Sequence, residues 1–223
     1  MKRRIFYGSI VIIFIILIIY SVILLKRGIV LTEDHPLVQQ LYEMSHLSGD
    51  TLILNELYQE KGFTNQYILA VSMKKHLEIK KEETISKEEL EKSIHAIFGN
   101  ISFTHENFYL HTNNVCGYTY NKDKKIYEPL TDCNEEPNQS YEQKIVAVHK
   151  IGNKIIIQEK VLFLVQDEEI YVYTSSNKEK LLAKVKKEQY NKEDYIDKGT
   201  TYESIFTSIN KNYIFTDIHV ITE

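Results

Sequence analysis

An apolar run near the N-terminus constrains this chain more than any other feature. Residues 5–25 read IFYGSIVIIFIILIIYSVILL and carry no charge. At about 1.5 Å per helical residue, this run spans roughly 30 Å, which is the thickness of the hydrocarbon core of a bilayer. The sequence therefore predicts a transmembrane helix over residues 5–25.

A cleaved signal peptide is the alternative interpretation of this run. The apolar region of a signal peptide usually has about 7–15 residues and ends at small residues resembling A-x-A. In this chain Lys26 and Arg27 follow Leu25 directly, and no cysteine precedes Cys116 to serve as a lipoprotein site. We therefore expect an uncleaved anchor.

The cations that flank the run predict its orientation. Three of them precede the run and two follow it, and the positive-inside rule places the richer side in the cytoplasm. We expect a cell-membrane protein with a single span, a cytoplasmic N-terminus and an extracellular C-terminal domain. The predicted division is a tail at 1–4, the span at 5–25, a linker at 26–35 and an extracytoplasmic domain at 36–223.

The chain beyond the run is acidic. After Arg27 there are 22 lysines, no arginine and 31 Asp plus Glu, which corresponds to a formal charge of −9. Phosphate recognition depends on clustered Arg and Lys and on positive potential. A nucleic-acid partner is therefore not expected.

A capping box marks the clearest helix. In the run ETISKEELEKSIHAIFGN, Ser86 and Glu89 have the S-x-x-E spacing in which each side chain bonds the backbone N–H of the other residue. Gly99 follows the last apolar residue and can end a helix with a positive φ. These signals predict a helix at 87–98. Its apolar stripe comprises Leu90, Ile94, Ile97 and Phe98.

Two further helices are expected upstream. Pro36 at a first-turn position opens an amphipathic stretch that reaches Met44, because the first turn leaves unbonded the N–H that proline lacks. Thr64 can cap a helix over roughly 64–78. The stretch TLILNELY at 51–58 is ambiguous between helix and strand.

The second half of the chain has the pattern of strands. The stretch FTHENFYLHT at 103–112 alternates between two faces, and residues 155–165 are apolar enough for a central strand. Gly152 and Asn153 are a hairpin turn pair, since both tolerate positive φ. A closing hairpin is expected around residues 210–212.

Helices that precede strands without alternating with them predict an α+β fold. The helices are expected at about 36–98 and the sheet at about 101–222. The sheet is expected to be curved and antiparallel, with about 6–8 strands, and to hold the helices on its concave face.

Four stretches carry a resemblance to known proteins. They are SKEELEKSIHAIFGN, the paired cysteines around a Lys- and Tyr-rich hairpin, KIIIQEKVLF and DKGTTYESIFTSINKNYIFTDI. Together they resemble a group of uncharacterised single-pass membrane proteins of low-GC Gram-positive bacteria, and the resemblance implies no activity. At the level of fold alone, the layout is similar to nuclear-transport-factor-2-like or cystatin-like extracytoplasmic domains, such as those of bacterial secretion and conjugation scaffolds. Function inferred from such a layout is analogy.

The chain has two cysteines, Cys116 and Cys133, on either side of a charged, turn-like centre. If the turn is centred between Lys124 and Lys125, the residue numbers of any two facing residues sum to 249. Cys116 and Cys133 then face each other. We predict a disulfide, which would stabilise the fold by about 3 kcal/mol and requires an oxidising exterior. Two inert thiols are the alternative, and a metal site would need further ligands from elsewhere.

Tyrosines crowd the same hairpin. Tyr118, Tyr120 and Tyr127 form a candidate interaction face, because tyrosine combines a large apolar ring with a polar tip. In the register that pairs the cysteines, Tyr120 faces Pro129. Tyrosine is also an ordinary strand former, so the alternative is that these rings belong to the core or the sheet surface.

No motif indicates catalysis or metal binding. His105, His111 and His149 could bind zinc if the sheet brought them together, but no H-E-x-x-H or other close ligand pair is present, so scattered histidines are the favoured interpretation. No G-x-S-x-G, P-loop or G-x-G-x-x-G occurs. We expect no cofactor, no metal and no enzymatic activity.

The leading functional hypothesis is a membrane-anchored, non-enzymatic extracytoplasmic domain that binds a partner protein or takes part in envelope assembly. The alternative is a sensor or carrier that holds a small ligand in a pocket of the curved sheet. A deep cavity lined by convergent polar groups would favour the alternative.

The predicted disulfide can be tested by alkylation of the intact protein. Before reduction, the full-length chain is expected not to react with a thiol reagent, and after reduction both cysteines are expected to react. Mass spectrometry measures the number of alkyl groups. Two reactive thiols in the unreduced protein would contradict the bond and would remove its support for an exterior location.

Overall fold

The structure of the protein is a computed structural model. It describes residues 28–45, 63–79, 84–110, 116–130, 139–175, 178 and 180–221. The predicted span at 5–25, the ambiguous stretch at 51–58, His111 and Cys133 lie outside the described residues. Within the described ranges, no helix is long and apolar enough to cross a bilayer.

The described chain has an α+β fold, as the order of sequence patterns predicted. Its helices are α1 (Pro36–Ser45), α2 (Asn65–Ile79) and α3 (Lys87–Phe98). Its strands are β1 (Ile29–Val30), β2 (Ile85–Ser86), β3 (Phe108–Tyr109), β4 (Gly117–Asn121), β5 (Ile126–Pro129), β6 (Gln139–Ile151), β7 (Lys154–Gln166), β8 (Glu169–Tyr173), β9 (Leu181–Lys186), β10 (Thr200–Ile209) and β11 (Asn212–Ile221). Three short 3₁₀ turns lie between β9 and β10.

The predicted capping box forms at the start of α3. Glu89 N donates to Ser86 Oγ at 3.2 Å, and Ser86 N donates to Glu89 Oε2 at 3.3 Å. Gly99 ends the helix with a φ of 66°, and a Cβ there would meet the side chain of Ile214 at 2.7 Å. The helix prediction at 87–98 is confirmed, and its apolar stripe is buried.

The two other helix predictions are also confirmed. Pro36 is the first residue of α1, and Thr64 Oγ1 accepts a hydrogen bond from Tyr67 N at 3.1 Å at the start of α2. The side chains of α2 are buried continuously from Tyr67 to Met73. An apolar surface on all sides of a helix is typical of a helix inside a core.

Two antiparallel sheets are present where the sequence predicted one. The larger has seven strands in the order β1-β6-β7-β10-β11, and β8 and β9 continue it from β7. The smaller has four strands in the order β2-β5-β4-β3. The cysteine hairpin, β4–β5, therefore belongs to a sheet of its own. Very short β2 and β3 complete this sheet, and two-residue strands leave no periodic signal in a sequence.

β7 is the central strand of the larger sheet, as the apolar composition of residues 155–165 predicted. One edge of β7 pairs with β6 over its whole length. The other edge pairs first with β10, from Lys154 to Val161, and then with β8, from Phe163 to Gln166. Gly199 precedes β10 at this division, where a Cβ would meet Val161 O at 2.4 Å. A residue without a side chain is required for β10 to approach β7 so closely.

Both predicted hairpin turns are confirmed. Gly152 has a φ of 60° between β6 and β7, and Asn210 and Lys211 have φ values of 52° and 70° between β10 and β11. Positive φ at both Asn210 and Lys211 matches the type I′ turn, whereas positive φ at Gly152 but not at Asn153 matches the type II′ turn.

The predicted register of the cysteine hairpin is wrong by two positions. The residue numbers of paired residues sum to 247 rather than 249, so Tyr118 faces Pro129 and Tyr120 faces Tyr127. The reason is a four-residue turn, Lys122–Lys125, in place of a two-residue one. Lys125 has a φ of 55°, and Asn121 Oδ1 accepts from Lys124 N at 3.1 Å. This side-chain bond is typical of Asn at the start of a turn.

The strand predicted at 103–112 is mostly absent in the described part of that stretch, where Phe108–Tyr109 alone is a strand. Side chains from α2 take the hydrogen bonds that a neighbouring strand would have made. The Asn65 side chain accepts from Thr104 N at 2.7 Å and donates to Thr104 O at 2.8 Å. Gln66 Nε2 donates to Asn107 O at 3.0 Å. An amide side chain carries the same donor and acceptor as a peptide group, so the extended backbone is satisfied without a ladder.

β1 lies inside the stretch that was predicted as a linker. It pairs with β6 through Ile29 and Val30, and Leu31 N donates to Val148 O at 3.1 Å. The sheet therefore begins before the predicted domain boundary at residue 36. A strand of two exposed residues has no alternation by which the sequence could reveal it.

The capping box of α3 yields a stability prediction. Ser86→Ala removes the acceptor for Glu89 N and is expected to lower the free energy of unfolding by about 1 kcal/mol. Ser93→Ala is the control, since Ser93 lies inside the same helix, where alanine has the higher helix propensity. Denaturant unfolding measures both variants. Equal destabilisation of the two variants would contradict a capping role.

Candidate functional site

An open cleft lies between α1, the end of α3 and the turn that joins β10 to β11. Its volume is about 950 Å³. The apolar part of its lining comprises Leu37, Leu41, Met44, Phe98, Ile209 and Ile214. Its polar part comprises Gln40, His95, Asn100, Asn210, Lys211 and Asn212. The cleft therefore combines an apolar floor with side-chain amides and two basic side chains, His95 and Lys211, and the ring of Tyr213 also lines it.

Local backbone features position the cleft walls. His95 Nδ1 bonds Gly99 O at 3.0 Å and closes the last turn of α3. The positive φ values of Gly99 and Lys211 turn the chain sharply on two sides of the cleft. Ile209 is 50% exposed at the rim. An exposed large apolar side chain beside a cleft is more informative than one on an open face, because clefts with apolar linings bind ligands or partners.

The cleft adjoins a sheet edge. β11 pairs with β10, and within the described residues no strand pairs with its other side. Residues Asn212–Ile214 belong both to this strand and to the cleft lining. A strand edge presents backbone N–H and C=O groups that another extended chain can bond.

A buried acidic residue lies beneath α1. Glu159 lies on the core-facing side of β7 together with Ile155, Ile157 and Val161. Its side chain is buried, and the residue is 8% exposed. Tyr42 Oη on α1 lies 3.1 Å from Glu159 Oε2 and 3.0 Å from Gln143 Oε1. Burial raises the pKa of Glu159 to about 7, and the hydrogen bond with Tyr42 opposes this shift.

The same cluster perturbs two tyrosines. Burial and the neighbouring Glu159 raise the pKa of Tyr42 and of Tyr67 above the ordinary value. Four elements, α1, α2, β6 and β7, thus meet at one polar point in an apolar core. Sequence analysis missed Glu159, although the period of two along residues 155–161 places it among inward-facing apolar residues and could have revealed it.

A second polar cluster joins α3 to the cysteine hairpin. His105 Nε2 lies 3.1 Å from Glu91 Oε1, and His105 Nδ1 lies 2.8 Å from Tyr127 Oη. With the ring neutral and its proton on Nε2, the imidazole donates to Glu91 and accepts from the Tyr127 hydroxyl, so all three groups are satisfied. The bond with His105 is the main cause of a lowered pKa for Glu91, and burial raises the pKa of Tyr127.

The tyrosines of the predicted interaction face take different positions. Tyr127 is completely buried and Tyr118 is 6% exposed. Tyr120 is half-buried and stacks on His105 with ring centroids 5.1 Å apart. A face built from all three rings is therefore not exposed. The shifted register explains this, because it brings Tyr120 opposite Tyr127 in a packed aromatic cluster.

The other predicted sites are placed as follows. Cys116 is 4% exposed and belongs to the main core, whereas Cys133 lies outside the described residues. The described register of β4 and β5 does not extend to Cys133, so the disulfide between the two cysteines stays a prediction. Among the histidines weighed for zinc, His105 belongs to the cluster with Glu91 and His149 lies on β6. In the part of the chain that the structure describes, no three His, Cys, Asp or Glu residues form a group that could hold a metal.

Two buried polar atoms on α2 were also missed. Ser72 Oγ and His76 Nε2 are buried without a hydrogen-bond partner. They are one helical turn apart and so share a face of α2. The sequence signal was the spacing of four residues between Ser72 and His76 in the run AVSMKKHL, which places both on one helix face.

Comparison with known proteins leaves the family of this chain open. No protein-family model matches the sequence, no curated protein matches it and no solved structure matches the fold.

The cluster of Glu91 and His105 yields a pH prediction. Because the pKa of Glu91 is lowered from 4.5, its ionised form stabilises the fold above that value, and this contribution is lost as the pH falls through the lowered pKa. Glu91→Gln is expected to show a shallower loss of unfolding free energy between about pH 5 and pH 3 than the wild type. Urea unfolding at each pH measures the effect.

Glu88→Gln is the matched control for this experiment. Glu88 is exposed in the first turn of the same helix. Glu88→Gln is expected to lose unfolding free energy at low pH to the same extent as the wild type. If Glu91→Gln loses as much unfolding free energy at low pH as the wild type, the stabilising role of the pair Glu91 and His105 is contradicted.

Proposed function

We propose that this chain is a membrane-anchored, extracytoplasmic binding module without enzymatic activity. Its partner is a protein that adds an extended strand to the edge of β11 that no described strand occupies, and that inserts an apolar side chain into the adjoining cleft. The proposal combines the apolar run at 5–25, which supports a membrane anchor, with the geometry of the described domain.

The observation that carries the proposal is that the cleft and the edge of β11 share residues Asn212–Ile214. In strand addition, main-chain hydrogen bonds supply affinity and pockets for alternate side chains supply specificity. A pocket that opens beside a strand edge without a partner strand among the described residues fits both requirements. An extended peptide suits this geometry better than a compact ligand, which would leave the strand edge unused.

The lining supports an apolar anchor residue. Leu37, Leu41 and Met44 come from α1, and Phe98 comes from α3. Methionine adapts its shape to different apolar partners. The amides of Gln40, Asn100 and Asn212 around this floor can bond a peptide backbone in either direction, because each carries a donor and an acceptor.

The finer fold assignment is also a proposal. α1 and α3 both contact β11 of the larger sheet, and α2 is buried between neighbouring elements. Helices packed on one face of an antiparallel sheet support the layout of nuclear-transport-factor-2-like or cystatin-like domains. The oxidising exterior that this location implies is consistent with the predicted disulfide between Cys116 and Cys133.

A specific observation favours the alternative of a small-ligand sensor or carrier. Tyr42, Gln143 and Glu159 converge in the interior next to the larger sheet, and convergent polar groups are typical of ligand sites. The neighbouring inward positions on β7, Ile155, Ile157 and Val161, are filled by packed apolar side chains. We therefore place binding at the open cleft.

Site-specific crosslinking in intact cells tests the proposed function. A photo-reactive amino acid replaces Lys211, which is exposed at the rim of the cleft. A crosslinked partner protein is expected with the otherwise wild-type chain. Ile209→Glu is expected to abolish the crosslink, because it places a charge at the apolar rim.

Leu181→Glu is the matched control for the crosslinking experiment. Leu181 is 49% exposed, as Ile209 is 50% exposed, but it lies on β9, away from the cleft. This variant is expected to retain the crosslink. A crosslink that survives Ile209→Glu, or that both variants abolish equally, would contradict binding at the cleft.

A further inference from the structure

We propose that Tyr42, Gln143 and Glu159 form a proton-dependent latch that holds α1 against the larger sheet. The latch is closed when Glu159 carries a proton, and α1 is released more readily when Glu159 is ionised. The latch itself is independent of the proposed function, and only its consequence for the cleft rests on that function.

Counting protons at Tyr42 indicates the state of the closed latch. The hydroxyl has one proton, yet Tyr42 Oη lies within hydrogen-bond distance of two acceptor oxygens, Gln143 Oε1 at 3.0 Å and Glu159 Oε2 at 3.1 Å. Both bonds form together if Glu159 is protonated, since the carboxylic acid then donates to Tyr42 and Tyr42 donates to Gln143. An ionised Glu159 would take the single proton of Tyr42, and Gln143 would then keep a hydrogen bond with Tyr42 only by turning its amide donor toward Oη.

The surroundings of Glu159 also favour its neutral form. Its side chain is 8% exposed. Tyr42 faces it from α1 and Tyr67 from α2, while Gln143 approaches from β6. Tyr202 on β10 and Ile145 on β6 are its register partners in the sheet.

None of these neighbours is a cation. Burial is the main influence on Glu159, and no basic group among the described residues offsets it. A buried carboxylate without a cationic partner is strongly disfavoured, so the group keeps its proton or the structure opens to water.

α1 is the element that the latch controls. It is ten residues long, and Val38 and Leu41 are its fully buried side chains. By contrast, α2 is buried along seven successive residues, and α3 has a capping box and a C-terminal glycine. The hydrogen bonds of Tyr42 are therefore polar contacts that hold α1 to β6 and β7 beside a small apolar attachment.

Release of α1 would change the cleft, because α1 supplies Leu37, Leu41 and Met44 to its lining. If the cleft binds a partner strand as proposed above, the latch couples that binding to external pH. When the latch is closed, α1 completes the lining of the cleft. When the latch is open, the cleft lacks the side chains of α1.

The direction and size of the effect follow from proton linkage. The pKa of Glu159 is raised from 4.5 to about 7, so the latch is fully stabilised below pH 4.5 and loses this stabilisation as the pH rises to 7. If opening exposes Glu159 to water, the opening constant increases about tenfold between pH 6 and pH 8 and changes less than about twofold from pH 8 to pH 9. The levelling above pH 8 distinguishes this group from tyrosine or lysine.

Hydrogen exchange of the full-length chain in detergent tests the latch without a partner. Exchange at residues 36–45 is measured by mass spectrometry at pH 6, 8 and 9 and corrected for the intrinsic rate at each pH. Protection of α1 is expected to fall about tenfold from pH 6 to pH 8 relative to residues 87–98 of α3. Unchanged protection of α1 in the wild type would overturn the proposal, whatever the outcome of the crosslinking.

Three variants complete the test. Glu159→Gln keeps a donor toward Tyr42 but cannot ionise, so protection of α1 is expected to be the same at pH 6 and pH 8. Tyr42→Phe is expected to lower protection of α1 already at pH 6. Glu142→Gln, on the neighbouring half-buried carboxylate of β6 that pairs with Lys192 and does not contact Tyr42, is expected to match the wild type. A tenfold fall that persists in Glu159→Gln would assign the pH dependence to another group and overturn the latch.

Discussion

The pairing of β7 with three other strands organises the described part of this protein. β6 occupies one edge of β7, and β10 and β8 share the other, so the larger sheet divides at Leu162. Two apolar clusters lie on opposite faces of β7, since one contains Ile155, Ile157 and Val161 and the other Leu162 and Leu164. The larger holds the helices against the sheet, and the smaller joins β7 and β8 to Ile196 in the 3₁₀ segment. The absence of a side chain at Gly199 permits the division, because β10 approaches the backbone of Val161 there.

Elements with local signals could be predicted from the sequence. The capping box of Ser86 and Glu89, Pro36 and Thr64 each mark a helix start by chemistry contained within a few residues. The hairpin turns at Gly152 and Asn210 are similarly local, since positive φ is a property of one or two residues. These signals are sufficient for the α+β class and for the central position of β7.

Features that depend on distant contacts could not be predicted. The side chain of Asn65 makes the hydrogen bonds to the backbone of Thr104 that a neighbouring strand would otherwise make. The hydrogen bond of Asn121 with Lys124 N belongs to the turn that shifts the register of the cysteine hairpin by two positions. The cleft combines parts of α1 and α3 with β11, which begins more than 100 residues after the end of α3, so no short window of sequence contains it. The inward position of Glu159 could have been inferred from the period of its strand, but the approach of Tyr42 from α1 and Tyr67 from α2 could not.

The pairing of β1 with β6 has a consequence for how this domain would stand on a membrane. Ile29 follows Arg27 by two residues, so a helix embedded at 5–25 would be attached almost directly to one margin of the larger sheet. β11 is four strands across from β1, a separation of about 19 Å at the usual spacing. Such a short connection would limit tilting, and it would present the opposite margin at a defined height above the lipid headgroups. Molecules at that height would encounter β11 in one orientation instead of many.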